Sequence, residues 1–224
     1  MVSQEYWQYW WKYFNMIIAP SILATIRMLT ASMVLAFIFG FALAIILVIY
    51  GPKGLRPNKG IYKTIDFLVN TIRSFPIIIL IVAMAPVTRL VVGTIIGEKA
   101  AIIPLTVAAT PFLAKIIENS LNEVDKQLIE AARSFGASDW QIITKVMVKE
   151  AIPGIVAGTT LSAISFLSAT TLAGAVGAGG IGAVALNYGY QSFNNTILYT
   201  SVFILFLMVQ AIQSVGNWLY KKIL

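Results

Sequence analysis

The chain of 224 residues contains no cysteine and no histidine, and only 11% of its residues are charged. Each shortage closes off a class of function. Without cysteine there is no disulfide framework, thiol nucleophile or thiolate metal ligand. Without histidine the commonest metal ligand and the usual general base are missing. The charged fraction is far below the roughly 25% of a soluble domain and cannot cover a water-facing surface. Disorder is excluded by the same composition, because a disordered chain is polar and poor in aromatics. What is present is apolar: 58% of residues are hydrophobic and 12% aromatic, with a mean hydropathy of +0.84. The composition is that of an all-α polytopic membrane protein.

A spanning helix needs about 20 mostly apolar residues. Five stretches meet that length, 21–49, 65–86, 96–114, 151–173 and 196–219. Pro76 and Pro104 lie inside the second and third and are expected to kink them. Glu98 and Lys99 fall at the mouth of the third. From Ala151 to Tyr220 there is no Asp, Glu, Lys or Arg, a run that holds two spans and a glycine-rich connector. Residues 1–20 form a separate segment. Trp7, Trp10, Trp11 and Phe14 recur at helical spacing, so a helix here carries an aromatic face suited to the headgroup region. The segment lacks the basic n-region and small-residue cleavage site of a signal peptide and is expected to be retained.

Lysine and arginine set the orientation. Lys53, Arg56, Lys59 and Lys63 follow the first span, Lys115, Lys126, Arg133, Lys145 and Lys149 follow the third, and Lys221 and Lys222 end the chain. Five spans then place the N-terminus outside and the C-terminus in the cytoplasm. This asymmetry accounts for the net charge of +7, and with no basic soluble face nucleic acid is not expected as a partner.

Residues 115–150 differ from the rest. They hold Glu118, Glu123, Asp125, Glu130, Asp139 and Glu150, most of the nine acidic residues. Leu121, Val124, Leu128, Ile129 and Ala132 line one helical face. Gly136 supplies the left-handed residue that closes a helix, and Ser138-Asp139-Trp140-Gln141 has the form of a capping box opening the next. Trp140, Ile143 and Met147 form the apolar stripe of that second helix. A charged helix-turn-helix is expected here, with small residues Ala131 and Ala132 permitting close approach. A solvated loop is the plainer reading of the same residues.

Glu130-Ala131-Ala132 followed by Gly136 resembles the EAA motif of ATP-binding-cassette importer permeases. Lys149 stands where that family usually has proline, and Pro153 follows four residues on. Arg73-Ser74-Phe75-Pro76, Pro104-Leu105-Thr106-Val107 and the glycine string from Gly174 to Gly182 resemble the methionine-importing subgroup. The resemblance implies a type I importer permease fold in the bacterial inner membrane, with one transmembrane domain over 21–224. It also implies a coupling helix at Glu130, Ala131, Ala132 and Gly136 that seats in a separate ATPase. The implied partners are two ATPase copies, an extracytoplasmic solute-binding lipoprotein and a second copy of this chain. The implied solute is methionine in both stereochemical forms, with other neutral amino acids remaining open.

Other signals carry less. Gly177 to Gly182 satisfies G-x-G-x-x-G, yet no acid follows at the distance a dinucleotide site requires. No phosphate-loop motif occurs, so ATP is not bound by that route and any ATP drive is expected from a partner ATPase, with no cofactor expected in this chain. Gly154 and Gly158 have the spacing that lets helices approach, within the chain or between subunits. Asp66 reads as an interfacial charge pairing with Arg73. An uncharged route suits a zwitterionic solute, and among the hydroxyls of the fourth span Thr159, Ser162, Ser165 and Ser168 are the pathway candidates. A gradient-driven carrier, a membrane scaffold and a vitamin-importer component with Ala132-Arg133 as its docking pair are the rival readings.

Overall fold

A computed structural model describes residues 4–223, and among these there are helices and no strands. In chain order the helices are α1 Gln4–Tyr13, α2 Ala19–Tyr50, α3 Lys59–Ser74, α4 Ile77–Ala83, α5 Ala85–Val92 and α6 Glu98–Asn122. They continue with α7 Lys126–Ser134, α8 Asp139–Gln141, α9 Val148–Ala173, α10 Gly180–Ala183 and α11 Asn195–Ile223. Wider π turns join several of them: Phe14–Ile18, Ile142–Met147, Gly174–Ala178 and Val184–Tyr190. Four helical stretches are long and apolar enough to cross a membrane, or up to five if the broken pair α3–α4 is one span.

Several sequence expectations change at this level. The N-terminal segment is helical, but the Phe14–Ile18 turn carries it into α2 without a break. Of its aromatic residues, Tyr13 and Phe14 pack against a core of Ile18, Ile181, Val184 and Ile197, while Trp11 is exposed. The Trp7 side chain lies outside the described residues. Pro76 breaks its span rather than kinking it. Phe75 (ψ 133°) and Pro76 (ψ 131°) are extended, as expected for the residue before a proline. Pro104, by contrast, is carried inside a continuous α6. The helical face from Leu121 to Ala132 is also split, because α6 ends at Asn122 and α7 begins anew after Asp125.

The chain divides into two compact units, each of which uses part of every long helix. One comprises the described residues up to Met33 with Pro76–Thr106 and Ile164–Ala211. It contains the short helical segment 180–190, buried over 180–185. Gly180, at φ +86°, lets the backbone turn in front of that segment. The Ile181 N–H then donates to Thr25 Oγ1 at 2.9 Å, and the Gly97 N–H donates to the Gly177 carbonyl at 2.9 Å. Arg27 pairs with Glu98 at 3.3 Å.

The other unit comprises Val34–Phe75, Val107–Ala163 and the described residues from Ile212. Here α6 and α9 approach closely. A Cβ on Gly158 would stand 2.2 Å from Ile116 Cγ2, and one on Gly154 would stand 3.0 Å from Ser120 Oγ. The paired glycines therefore serve a helix contact inside the chain, the first of their two readings.

Candidate functional site

The segment containing Glu130 is assembled from local rules. Asp125 caps α7, its Oδ1 accepting from the Gln127 N–H at 2.9 Å. At the other end Gly136 has φ +78°. The Ala137 N–H donates to the Ala132 carbonyl at 3.1 Å and the Gly136 N–H to the Arg133 carbonyl at 3.0 Å, the pair of bonds that makes a Schellman motif. Ser138 then caps α8 through a reciprocal capping box with Gln141. The second helix does not stop at the surface. It runs through Ile142–Met147 into α9, which also carries Pro153 without a break.

Tertiary pairs lock this handle in place. Asp139 accepts from Arg56 Nε and lies 3.8 Å from Arg133 Nη2. Arg133 also donates to the Leu55 carbonyl at 3.3 Å. Between α7 and the loop after α2 is a cavity of about 420 Å³, walled by Gly51, Leu55, Leu121, Val124 and Ile129 among others. These contacts use one side of α7 and leave its other side open. Glu130 and Ala131 are exposed and Ala132 is half-buried. Leu128 is 43% exposed and Phe135 91%, so Leu128 belongs to the open side and not to the inner face expected of it. Leu128, Ala131 and Phe135 follow one another at helical spacing and form an apolar strip, while Glu130, although exposed, borders the cavity with Lys126, Ile129 and Arg133. Trp140 also points outward at 67% exposure, while Ile143 and Met147 are buried.

Sequence reasoning missed Phe135, which has no polar or motif signature of its own; its place immediately before the capping glycine was the available signal. It also missed a charge cluster. Asp66 pairs not with Arg73 but with Lys115, which reaches Glu118 at 2.7 Å as well. Tyr62 donates to Glu118 at 3.3 Å. Arg73 instead donates to Asn70 at 3.4 Å and lies over the Phe112 ring at 5.8 Å.

The four pathway candidates differ in placement. Ser162 is fully buried and donates to the Gly158 carbonyl at 2.8 Å. The Thr159 hydroxyl is buried without a hydrogen-bond partner. Ser165 and Ser168 lie on the exposed side of α9.

Residues 48–223 match the family described as binding-protein-dependent transport system inner membrane component. The chain belongs to that family. It is a multi-pass membrane protein and a transport component. It is similar to the probable D-methionine transport system permease protein MetI of Vibrio cholerae, with 41% identity covering 89% of this chain and 88% of the relative. The methionine import system permease protein MetP of Bacillus subtilis is 40% identical over 73% of each chain. A solved chain of the MetNI methionine ABC transporter in inward-facing conformations superimposes with a TM-score of 0.91 and 38% identity, covering 93% of this chain and 96% of that one. A chain of an amino acid ABC transporter superimposes with a TM-score of 0.74 at 17% identity, a likeness of fold alone.

Proposed function

We propose that this permease is the membrane-spanning subunit of an ATP-driven importer for methionine in its D- and L-forms. It provides the translocation path, and separate ATPase subunits bind the ATP. The observation that carries the reading is the open side of α7, a helix capped at both ends that presents Leu128, Ala131 and Phe135. A solvated loop has no need of an exposed apolar strip on a doubly capped helix. The similarity to MetI, MetP and the MetNI chain supports methionine as the solute and an ATPase as the partner.

In the working assembly two copies of the chain face each other, each gripped by an ATPase, and a solute-binding lipoprotein delivers methionine from outside. The charge asymmetry supports an orientation with α7 in the cytoplasm, the N-terminus outside and the C-terminus inside. ATP-driven closure of the ATPase pair pulls on residues Glu130 to Gly136. Because Arg133 donates to the Leu55 carbonyl and Asp139 accepts from Arg56, the pull becomes a rigid-body movement of the spans. Ser165 and Ser168, uncharged and exposed on α9, offer hydroxyls to a zwitterion without trapping it as fixed charges would.

The test is the coupling itself. Gly136→Pro cannot adopt φ +78°, and Ala132→Trp distorts the seat of α7. Either variant is expected to insert normally and retain ATPase activity in the assembled complex while uptake falls at least about tenfold, within the usual range of a lost coupling energy. Wild-type uptake by a correctly assembled variant would refute the docking role. Uptake by the permease alone in liposomes under a proton or sodium gradient would favour a secondary carrier.

A further inference from the structure

A second cavity lies between the end of α2 and the start of α3, sharing Pro52 and Tyr62 with the cavity beside α7. It has a volume of about 440 Å³ and is open to the surface, with half-buried Tyr50 and Tyr62 and exposed Pro52, Pro57, Asn58, Lys59 and Lys63 as its walls. That volume is within the roughly 300–1,000 Å³ of small-ligand sites. No acidic side chain is among its lining residues. The acid reached from it is Glu118, through the Tyr62 hydroxyl, and Glu118 is already held by Lys115 at 2.7 Å. Neither Lys59 nor Lys63 forms an ion pair among the described residues.

The electrostatics of the pocket are uncompensated. Lys59 and Lys63 occupy the first two turns of α3, whose first turn has no acidic residue. A helix start carries partial positive charge and disfavours cations. Asn58 Oδ1 accepts from the Gly60 and Ile61 N–H groups, but the two lysines beside that helix start have no protein anion among the pocket's lining residues to balance them. The depth of the pocket is also informative. Tyr50 directly follows the apolar run 21–49 and ends a helical stretch long and apolar enough to cross the membrane, so by sequence the pocket belongs near the headgroup level. Tyrosine is at home at that level, and basic pockets beside spanning helices hold anionic lipid headgroups.

We infer that this pocket binds a phosphoryl anion supplied by the headgroup of an anionic phospholipid, with Lys59 and Lys63 contacting the phosphate. The bound headgroup ties the end of α2 to the start of α3.

The purified protein in nanodiscs of phosphatidylcholine with a minor fraction of phosphatidylglycerol provides the test, with retained lipid counted by native mass spectrometry. Wild type is expected to retain phosphatidylglycerol in preference to phosphatidylcholine. Lys59→Gln/Lys63→Gln is expected to lower that retention by about fivefold for each lysine, the usual effect of one basic residue near an anionic surface. Lys59→Arg/Lys63→Arg is expected to keep it, and so is Lys221→Gln/Lys222→Gln, which removes equal charge elsewhere. The inference fails if wild type shows no preference, or if the two glutamine variants lose lipid equally. If inorganic phosphate displaces the lipid and itself binds wild type but not Lys59→Gln/Lys63→Gln, the anion site stands and the lipid assignment is overturned.

Discussion

At the scale of single residues, Lys115 carries more than its share of the burden. Its ammonium bridges Asp66 and Glu118, and the Glu118 side chain is only 5% exposed. Removing the cation would leave two carboxylates close together and one of them buried. A buried pair that loses one partner is destabilised by about 3–5 kcal/mol, whereas removing every charge together is often neutral. The lower end applies here because Asp66 is 30% exposed. Lys115→Met is therefore expected to lower the melting midpoint in detergent by an amount equivalent to about 3 kcal/mol. Adding Asp66→Asn and Glu118→Gln should recover most of the loss. A Lys115→Met protein that melts like wild type would show that the cluster has no stabilising role.

At the scale of elements, the segment 180–190 lacks a side chain at its own cap position, which is Gly179. Thr25 supplies the missing acceptor from α2. It is 1% exposed, accepts from the Ile181 N–H at 2.9 Å and donates to the Ser21 carbonyl at 2.9 Å. Losing a helix cap costs about 1 kcal/mol. Thr25→Val keeps the shape and loses the oxygen, so amide exchange at Ile181 and Gly182 is expected to rise roughly fivefold, the equivalent of that cap. Thr25→Ser should restore protection. Unchanged exchange in Thr25→Val would mean that the hydroxyl is not the cap. The same logic explains which elements are readable in advance. Gly136 and the Ser138–Gln141 box depend on neighbours within a few residues, and both form as their spacing indicates.

At the scale of the whole molecule, the absence of cysteine is an experimental convenience, since any introduced thiol is unique. The proposed orientation predicts that Asn122→Cys, at the end of α6, is labelled by an impermeant maleimide only from the cytoplasmic side. Thr94→Cys, between α5 and α6, should be labelled only from outside. Reversed labelling in intact cells would invert the topology and place the proposed coupling helix on the wrong side for an ATPase.

The apolar composition, the long charge-free run and the local caps determined the all-helical membrane class and the capped handle, because burial in lipid and helix termination are decided by composition and near neighbours. Partners distant in sequence were beyond that reach. Asp66 and Lys115 are 49 positions apart, and Thr25 and Ile181 are 156 apart. Only the packed chain decided that Asp66 would take Lys115 instead of Arg73, and that Leu128 and Phe135 would face outward. Helical spacing groups residues on a face without stating which face is covered, and that choice belongs to the elements packed against it.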